Sequence, residues 1–97
     1  MRIISKKTLR EFWEKHQDSQ NQITAWYHYA KRANWRKSSD IKEQFRNVSI
    51  ISSNRIVFNI CGNKYRLVIK INFEAQLIFI RFIGTHKQYD EIEVKEI

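Results

Sequence analysis

Residues 55–83 read RIVFNICGNKYRLVIKINFEAQLIFIRFI. Apolar residues recur there at every second position, the period of a strand whose two faces differ. Residues 55–61, 64–73 and 76–83 form three strands on this reading. Gly62-Asn63 is a two-residue hairpin signal, because such turns need a positive φ that these residue types tolerate. Glu74-Ala75 is a poorer turn pair, but it sits where the pattern requires a reversal. The two turns set the register. Asn59 faces Arg66 and Val57 faces Val68 in the first hairpin, while Val68 faces Arg81 and Lys70 faces Phe79 in the second. Paired residues share a face, so one face carries Ile56, Phe58, Ile60, Tyr65, Leu67, Ile69, Ile71, Phe73, Ile78, Ile80 and Phe82. The other carries Arg55, Val57, Asn59, Lys64, Arg66, Val68, Lys70, Phe79 and Arg81. A one-residue slip in either hairpin mixes the faces.

The apolar face needs a cover, and the first half of the chain supplies it. Residues 2–5 read as a short strand. Ser5 is then a cap for a helix over residues 6–16, with Leu9, Phe12, Trp13 and His16 on one stripe. Ser19-x-x-Gln22 has the spacing of a capping box and opens a second helix through about Asn34, carrying Ile23, Trp26, Tyr27 and Ala30. Residues 35–39 are a break. Asp40-x-x-Glu43 starts a third short turn with Ile41 and Phe45 inward, and residues 49–54 read as loop. The expected fold is α+β. It is a compact domain over residues 1–97, with two N-terminal helices packed on one face of a mainly antiparallel sheet of three to four strands.

Eighteen Lys and Arg against ten Asp and Glu give a net charge of +8, which points to a polyanionic partner. No window approaches the ~18 apolar residues of a membrane span, and the N-terminus lacks a signal-peptide core. Cytoplasmic residence without membrane contact is the expectation. The lone Cys61 excludes an internal disulfide and a Cys-based zinc site, and three scattered His make no metal site. P-loop, dinucleotide-binding, nucleophile-elbow and zincin patterns are absent, so no cofactor is expected.

The outer face decides the chemistry. Residues 55–83 contain five cations and a single carboxylate, Glu74 at a turn. Mutual repulsion among Arg55, Arg66, Lys70 and Arg81 costs stability, which favours an anion-binding role. Arg grips phosphate through parallel hydrogen bonds and stabilises charge developing at phosphorus. Beyond the last strand comes Thr85-His86-Lys87-Gln88-Tyr89-Asp90. Thr85 suits a short helical turn that puts His86 and Tyr89 on one side, and His is matched to proton transfer near neutral pH. RNA carries its own nucleophile, the 2′-hydroxyl, so cleavage needs a base, a leaving-group acid and charge stabilisation. His86, Tyr89 or a nearby Lys can fill the proton roles, and Tyr89 can instead stack on a base. Asp90 and Glu91 are positioned to tune the His. His16 and His28 read as packing or surface residues.

The elements Gly62-Asn63-Lys64-Tyr65-Arg66-Leu67 and Arg81-x-x-Gly84-Thr85-His86-Lys87-x-Tyr89-Asp90 resemble the HigB branch of the RelE-like toxins. The likeness extends over nearly the whole chain, including Trp35 with its Ser-rich break and the Val57-Phe58-Asn59 strand. It implies an mRNA interferase acting on mRNA at the ribosome and neutralised by a HigA-like helix-turn-helix antitoxin. Operator DNA is then met only through the antitoxin complex. On the family pattern Arg66, Arg81 and Tyr89 are the matching catalytic positions, with His86 in its THxxYD element. Arg55, Asn59, Lys64, Lys70 and Lys87 are the expected RNA contacts. Two rival readings use the same face: a non-catalytic RNA- or ribosome-binding module, and an inactive toxin-like subunit of an operon repressor.

Overall fold

The computed structural model describes residues 1–97. In chain order the elements are β1 (Arg2–Ile4), α1 (Lys6–Lys15), a 3-10 turn (Gln17–Ser19), α2 (Gln20–Arg32) and α3 (Ser38–Gln44). There follow β2 (Ser49–Ser52), β3 (Arg55–Ile60), β4 (Tyr65–Asn72), β5 (Leu77–Thr85) and α4 (His86–Asp90). The α+β architecture is as expected, but the sheet has five strands, ordered β1-β5-β4-β3-β2. β1 lies parallel to β5, and every other pair is antiparallel.

The added strand is β2, in a stretch expected to be loop. Ser49 and Ile50 pair with Val57 and Ile56, so the outer edge of β3 is hydrogen-bonded rather than bare. The exposed Ile50 and a register irregularity before Ser52 explain why no alternating pattern announces it.

The first hairpin has the register its turn dictates, with Asn59 opposite Arg66 and Val57 opposite Val68. Positive φ falls on Cys61 and Gly62, at 54° and 67°, and not on Asn63. The second hairpin departs from expectation partway along. Lys70 faces Phe79 and Ile69 faces Ile80, but Val68 faces Phe82 rather than Arg81. Arg81 is the extra residue of a β-bulge. Beyond it the faces exchange. Ile83, opposite Leu67, packs against the main core, and Phe82 moves to the outer face.

Seventeen buried residues form the core between the helices and the inner sheet face, among them Leu9, Ile23, Trp26, Leu67, Ile69 and Ile78. The caps expected at Ser5 and Ser19 are not used. Ser5 adopts a left-handed conformation at φ 76° and makes no side-chain cap bond. The buried Ser19 hydroxyl donates to the His16 carbonyl at 2.6 Å, and Gln22 Oε1 accepts from the Cys61 amide at 2.7 Å. Tertiary partners outcompete the capping box there. α3 begins two residues before Asp40, whose carboxylate accepts from the Arg36 amide at 2.9 Å.

The outer face is also partly covered. Val57 and Val68 are 2% and 0% exposed although neither belongs to the helix-side core. After α4 the chain crosses this face, with Ile92, Val94 and Ile97 half-buried. An Ile97 main-chain oxygen accepts from Arg55 Nε at 3.0 Å. No helix is long and apolar enough to cross a membrane.

Leu67 sits at the centre of the sheet with no exposure. Leu67→Ala is expected to lower unfolding free energy by about 2–5 kcal/mol in urea titration. Lys70→Ala on the exposed face should stay within about 0.5 kcal/mol of the parent. Equal effects of the two would contradict this division of faces.

Candidate functional site

The site is built where β4 and β5 end together. Arg66 lies directly opposite Gly84, and Tyr65 opposite Thr85. A side chain at Gly84 would have to displace two neighbouring side chains. A Cβ there would lie 2.6 Å from the Phe82 ring and 2.7 Å from the Gln88 side chain. Thr85 then caps α4 with a complete capping box. Its hydroxyl accepts from the Gln88 amide at 3.2 Å, and Gln88 Oε1 accepts from the Thr85 amide at 2.9 Å. The His86 amide donates to the Lys64 carbonyl at 3.1 Å, fastening this short helix to the neighbouring hairpin.

α4 presents Tyr89 to Arg66. The Arg66 guanidinium lies 5.8 Å from the centroid of the Tyr89 ring, within cation–π range, and Nη1 donates to the Asn63 carbonyl at 2.9 Å. Tyr89 is backed by Phe82 at 6.4 Å between ring centroids. His86 Nδ1 lies 3.0 Å from Asp90 Oδ2, one helical turn on. A carboxylate can only accept, so this bond puts the proton on Nδ1 of the neutral ring and leaves Nε2 as the free base. His86 is exposed, so Nε2 is open to a substrate. The arrangement offers one oriented imidazole, one oriented guanidinium and one phenol at a single sheet end.

The sequence-predicted residues are not all brought together. Arg66 and Tyr89 are in contact, and His86 stands on the same short helix as Tyr89, three residues before it. Lys70 is four residues from Arg66 on β4, ~13 Å away at ~3.3 Å per residue. Arg81, in the bulge, lies ~10 Å along β5 from Gly84 by the same rise. Both are exposed and make no hydrogen bond, as is Lys87 on α4. Asn59 stands opposite Arg66 on β3, its amide 3.4 Å from the Asn47 carbonyl.

Two expected RNA contacts are engaged elsewhere. Arg55 is buried, donating to Ile97 and to Asn54 Oδ1, so it anchors the chain that crosses the outer face. Lys64 is 2.5 Å from Asp18 Oδ2, and the same carboxylate accepts from the Tyr65 hydroxyl at 2.7 Å. Lys64 therefore fastens β4 to the turn before α2. Sequence reading gave no site role to Asp18, Asn63, Phe82 or Gly84, although Asn63 and Gly84 stand in the two elements that carry the resemblance. The one available signal was the glycine directly before the THxxYD element.

The Asp18 carboxyl is held below its ordinary range, first by the Lys64 hydrogen bond and then by that of Tyr65. The Asp18 bond in turn raises Lys64 and Tyr65. Burial raises the Cys61 thiol, whose Sγ lies 3.4 Å from the Asp18 carbonyl, so it is a protonated packing group. A carboxylate lowered on folding stabilises the fold above its unfolded pKa of ~3.9 and loses that contribution as pH falls through the folded value. Asp18→Ala is accordingly expected to lower the melting temperature by a constant amount between about pH 5 and 8. The gap should close at lower pH. A gap that widens in acid would contradict the Lys64–Asp18–Tyr65 cluster.

Comparison with known proteins follows the same outline. Residues 19–92 match the sequence family described as HigB_toxin, RelE-like toxic component of a toxin-antitoxin system. The mRNA interferase toxin HigB of Escherichia coli (strain K12) is 29% identical over 92 residues, covering 93% of this chain and 88% of that protein. The proteins named mRNA interferase HigB from Escherichia coli O157:H7 and Shigella flexneri match to the same extent.

Proposed function

This chain belongs to the HigB family, the RelE-like toxic components of toxin–antitoxin systems, and on that premise we propose that it is an endoribonuclease that cuts mRNA. The observation that supports the reading is the Arg66–Tyr89 cation–π contact, with the His86–Asp90 pair on the helix that carries Tyr89. In the reaction the ribose 2′-oxygen attacks the adjacent phosphorus while His86 Nε2 takes its proton. The bond from phosphorus to the 5′-oxygen breaks, and that oxygen leaves protonated. The products are a 2′,3′-cyclic phosphate and a 5′-hydroxyl. Arg66 meets the charge that builds on the phosphoryl oxygens, and Tyr89 fixes the guanidinium plane while remaining the nearest phenolic acid for the leaving oxygen. Arg81 adds a second cation along the same RNA backbone. Asn59 and Lys87 would flank the approach, with Lys70 at the far end of the face, ~13 Å from Arg66. Since the substrate supplies the nucleophile, no metal-bound water enters the scheme.

An antitoxin partner follows from the family, and the helix-turn-helix HigA type is the one proposed. The proposed setting is mRNA on the ribosome in the cytoplasm, with operator DNA met only through the antitoxin complex. Binding to free RNA should weaken steeply with salt, as counterion release requires for a chain of net charge +8.

Induced expression should arrest growth and leave breaks within translated transcripts. Arg66→Ala should slow cleavage by about 10²–10³, and His86→Ala by about 10²–10⁴. The double variant should be harmless at equal expression. Undiminished toxicity of that variant sinks the site assignment. A wild-type chain that stops translation with intact transcripts supports the non-catalytic ribosome-binding reading instead.

A further inference from the structure

We propose that the cleft between the α3–β2 connection and the Gly62-Asn63 turn is a second nucleotide subsite. It would hold the phosphate and base of single-stranded RNA adjoining the cleaved bond. The inference rests on the RNA-cleavage reading and adds to it Lys42, Arg46, Asn47 and Ser49, which neither the sequence motifs nor the catalytic group include.

The cleft has a volume of about 580 Å³ and is lined chiefly by Lys42, Arg46, Asn47, Ser49, Asn59 and Asn63. That is within the ~300–1,000 Å³ typical of small-ligand sites. No carboxylate lines it. Arg46 is exposed and makes no hydrogen bond or ion pair, so all its donors are unspent. Lys42 Nζ gives one donor to the Val48 carbonyl at 2.8 Å and keeps two. The amides and the hydroxyl suit a ribose 2′-hydroxyl and base edges, the groups by which RNA is recognised.

A smaller cavity of about 180 Å³ adjoins it, sharing Arg46, Asn47 and Asn59. Its added walls are Phe45 and Phe58, whose rings meet edge to face at 5.1 Å. Cations beside a half-buried aromatic form the combination that holds an unstacked base and its phosphate together. An acidic protein segment would use the cations but not the aromatic recess.

The cleft is continuous with the catalytic group. Asn63 lines it and accepts the hydrogen bond from Arg66 Nη1. Asn59 also lines it and is the cross-strand partner of Arg66. Arg66 therefore stands one strand spacing, ~4.8 Å, from a residue that lines the cleft, so RNA with its scissile phosphate at Arg66 can run on into it.

The test is fluorescence anisotropy with a labelled single-stranded oligoribonucleotide that keeps its 2′-hydroxyls, titrated at several KCl concentrations with each variant placed in a His86→Ala background that cuts it only slowly. Cleavage is measured in parallel on programmed ribosomes. Arg46→Ala should weaken binding roughly tenfold, the scale of one charged hydrogen bond. It should also flatten the plot of log affinity against log salt by about 0.7, one single-strand phosphate. Arg46→Lys should keep the slope. As Arg46 is exposed, all variants should melt with the wild type. Unchanged affinity and slope in Arg46→Ala, with wild-type cleavage intact, overturn the subsite alone. A wild type that neither binds nor cuts RNA overturns the cleavage reading with it. Lost antitoxin binding with intact RNA binding makes the cleft a protein contact and also overturns the subsite.

Discussion

One extra residue in β5 governs the whole catalytic end of the sheet. Were the β4–β5 ladder regular, Val68 would face Arg81 and Arg66 would face Ile83. The bulge at Arg81 advances β5 by one position, so that Gly84 comes opposite Arg66. The absent side chain leaves room for the Phe82 ring and the Gln88 amide. The same shift delivers Ile83 to the helix-side core and Phe82 to the outer face behind Tyr89. Thr85 then leaves the sheet at the point where its hydroxyl can cap α4, and α4 carries His86 and sets Tyr89 beside Arg66. A bulge is a common way of re-aiming side chains next to a working site.

The cationic face is divided into separate neighbourhoods. Arg66 lies over the Tyr89 ring and donates one Nη1 hydrogen to the Asn63 carbonyl, which leaves other donors for an anion. Lys64, next to it in sequence, is neutralised by Asp18 and fastens the hairpin to the helices. Arg55 is sealed under the chain that follows α4. Apolar residues of that chain and the valines beneath them separate the Arg66 end from the Lys70 end. Local geometry therefore decides which cations serve an anion, and total charge sets only the long-range attraction.

Much of this was legible in the residues, for identifiable reasons. The alternation in β3 and β4 is strict and its turn unambiguous, so Asn59 and Arg66 were paired correctly. The α4 cap was legible because Thr85 and Gln88 have no competing partner. The bulge was hidden because Phe82 and Ile83 are both apolar and either can continue the inner face. β2 was hidden because Ser49 and Ile50 sit on an exposed edge where polarity carries little pattern. Ser19 and Gln22 matched a capping box, yet each found a stronger partner in a segment distant in the chain or in the preceding turn. Lys64 and Arg55 were counted as free cations because their partners, Asp18 and Ile97, lie 46 and 42 residues away in sequence.

The chemistry of the cut ends tests the account most directly. Purified protein would be incubated with ribosomes carrying a defined mRNA, and both new termini identified. A 2′,3′-cyclic phosphate upstream and a 5′-hydroxyl downstream are the predicted ends, since the RNA's own 2′-oxygen attacks while His86 and Arg66 manage proton and charge. A 3′-hydroxyl with a 5′-phosphate would mean that water attacked phosphorus, and would contradict it.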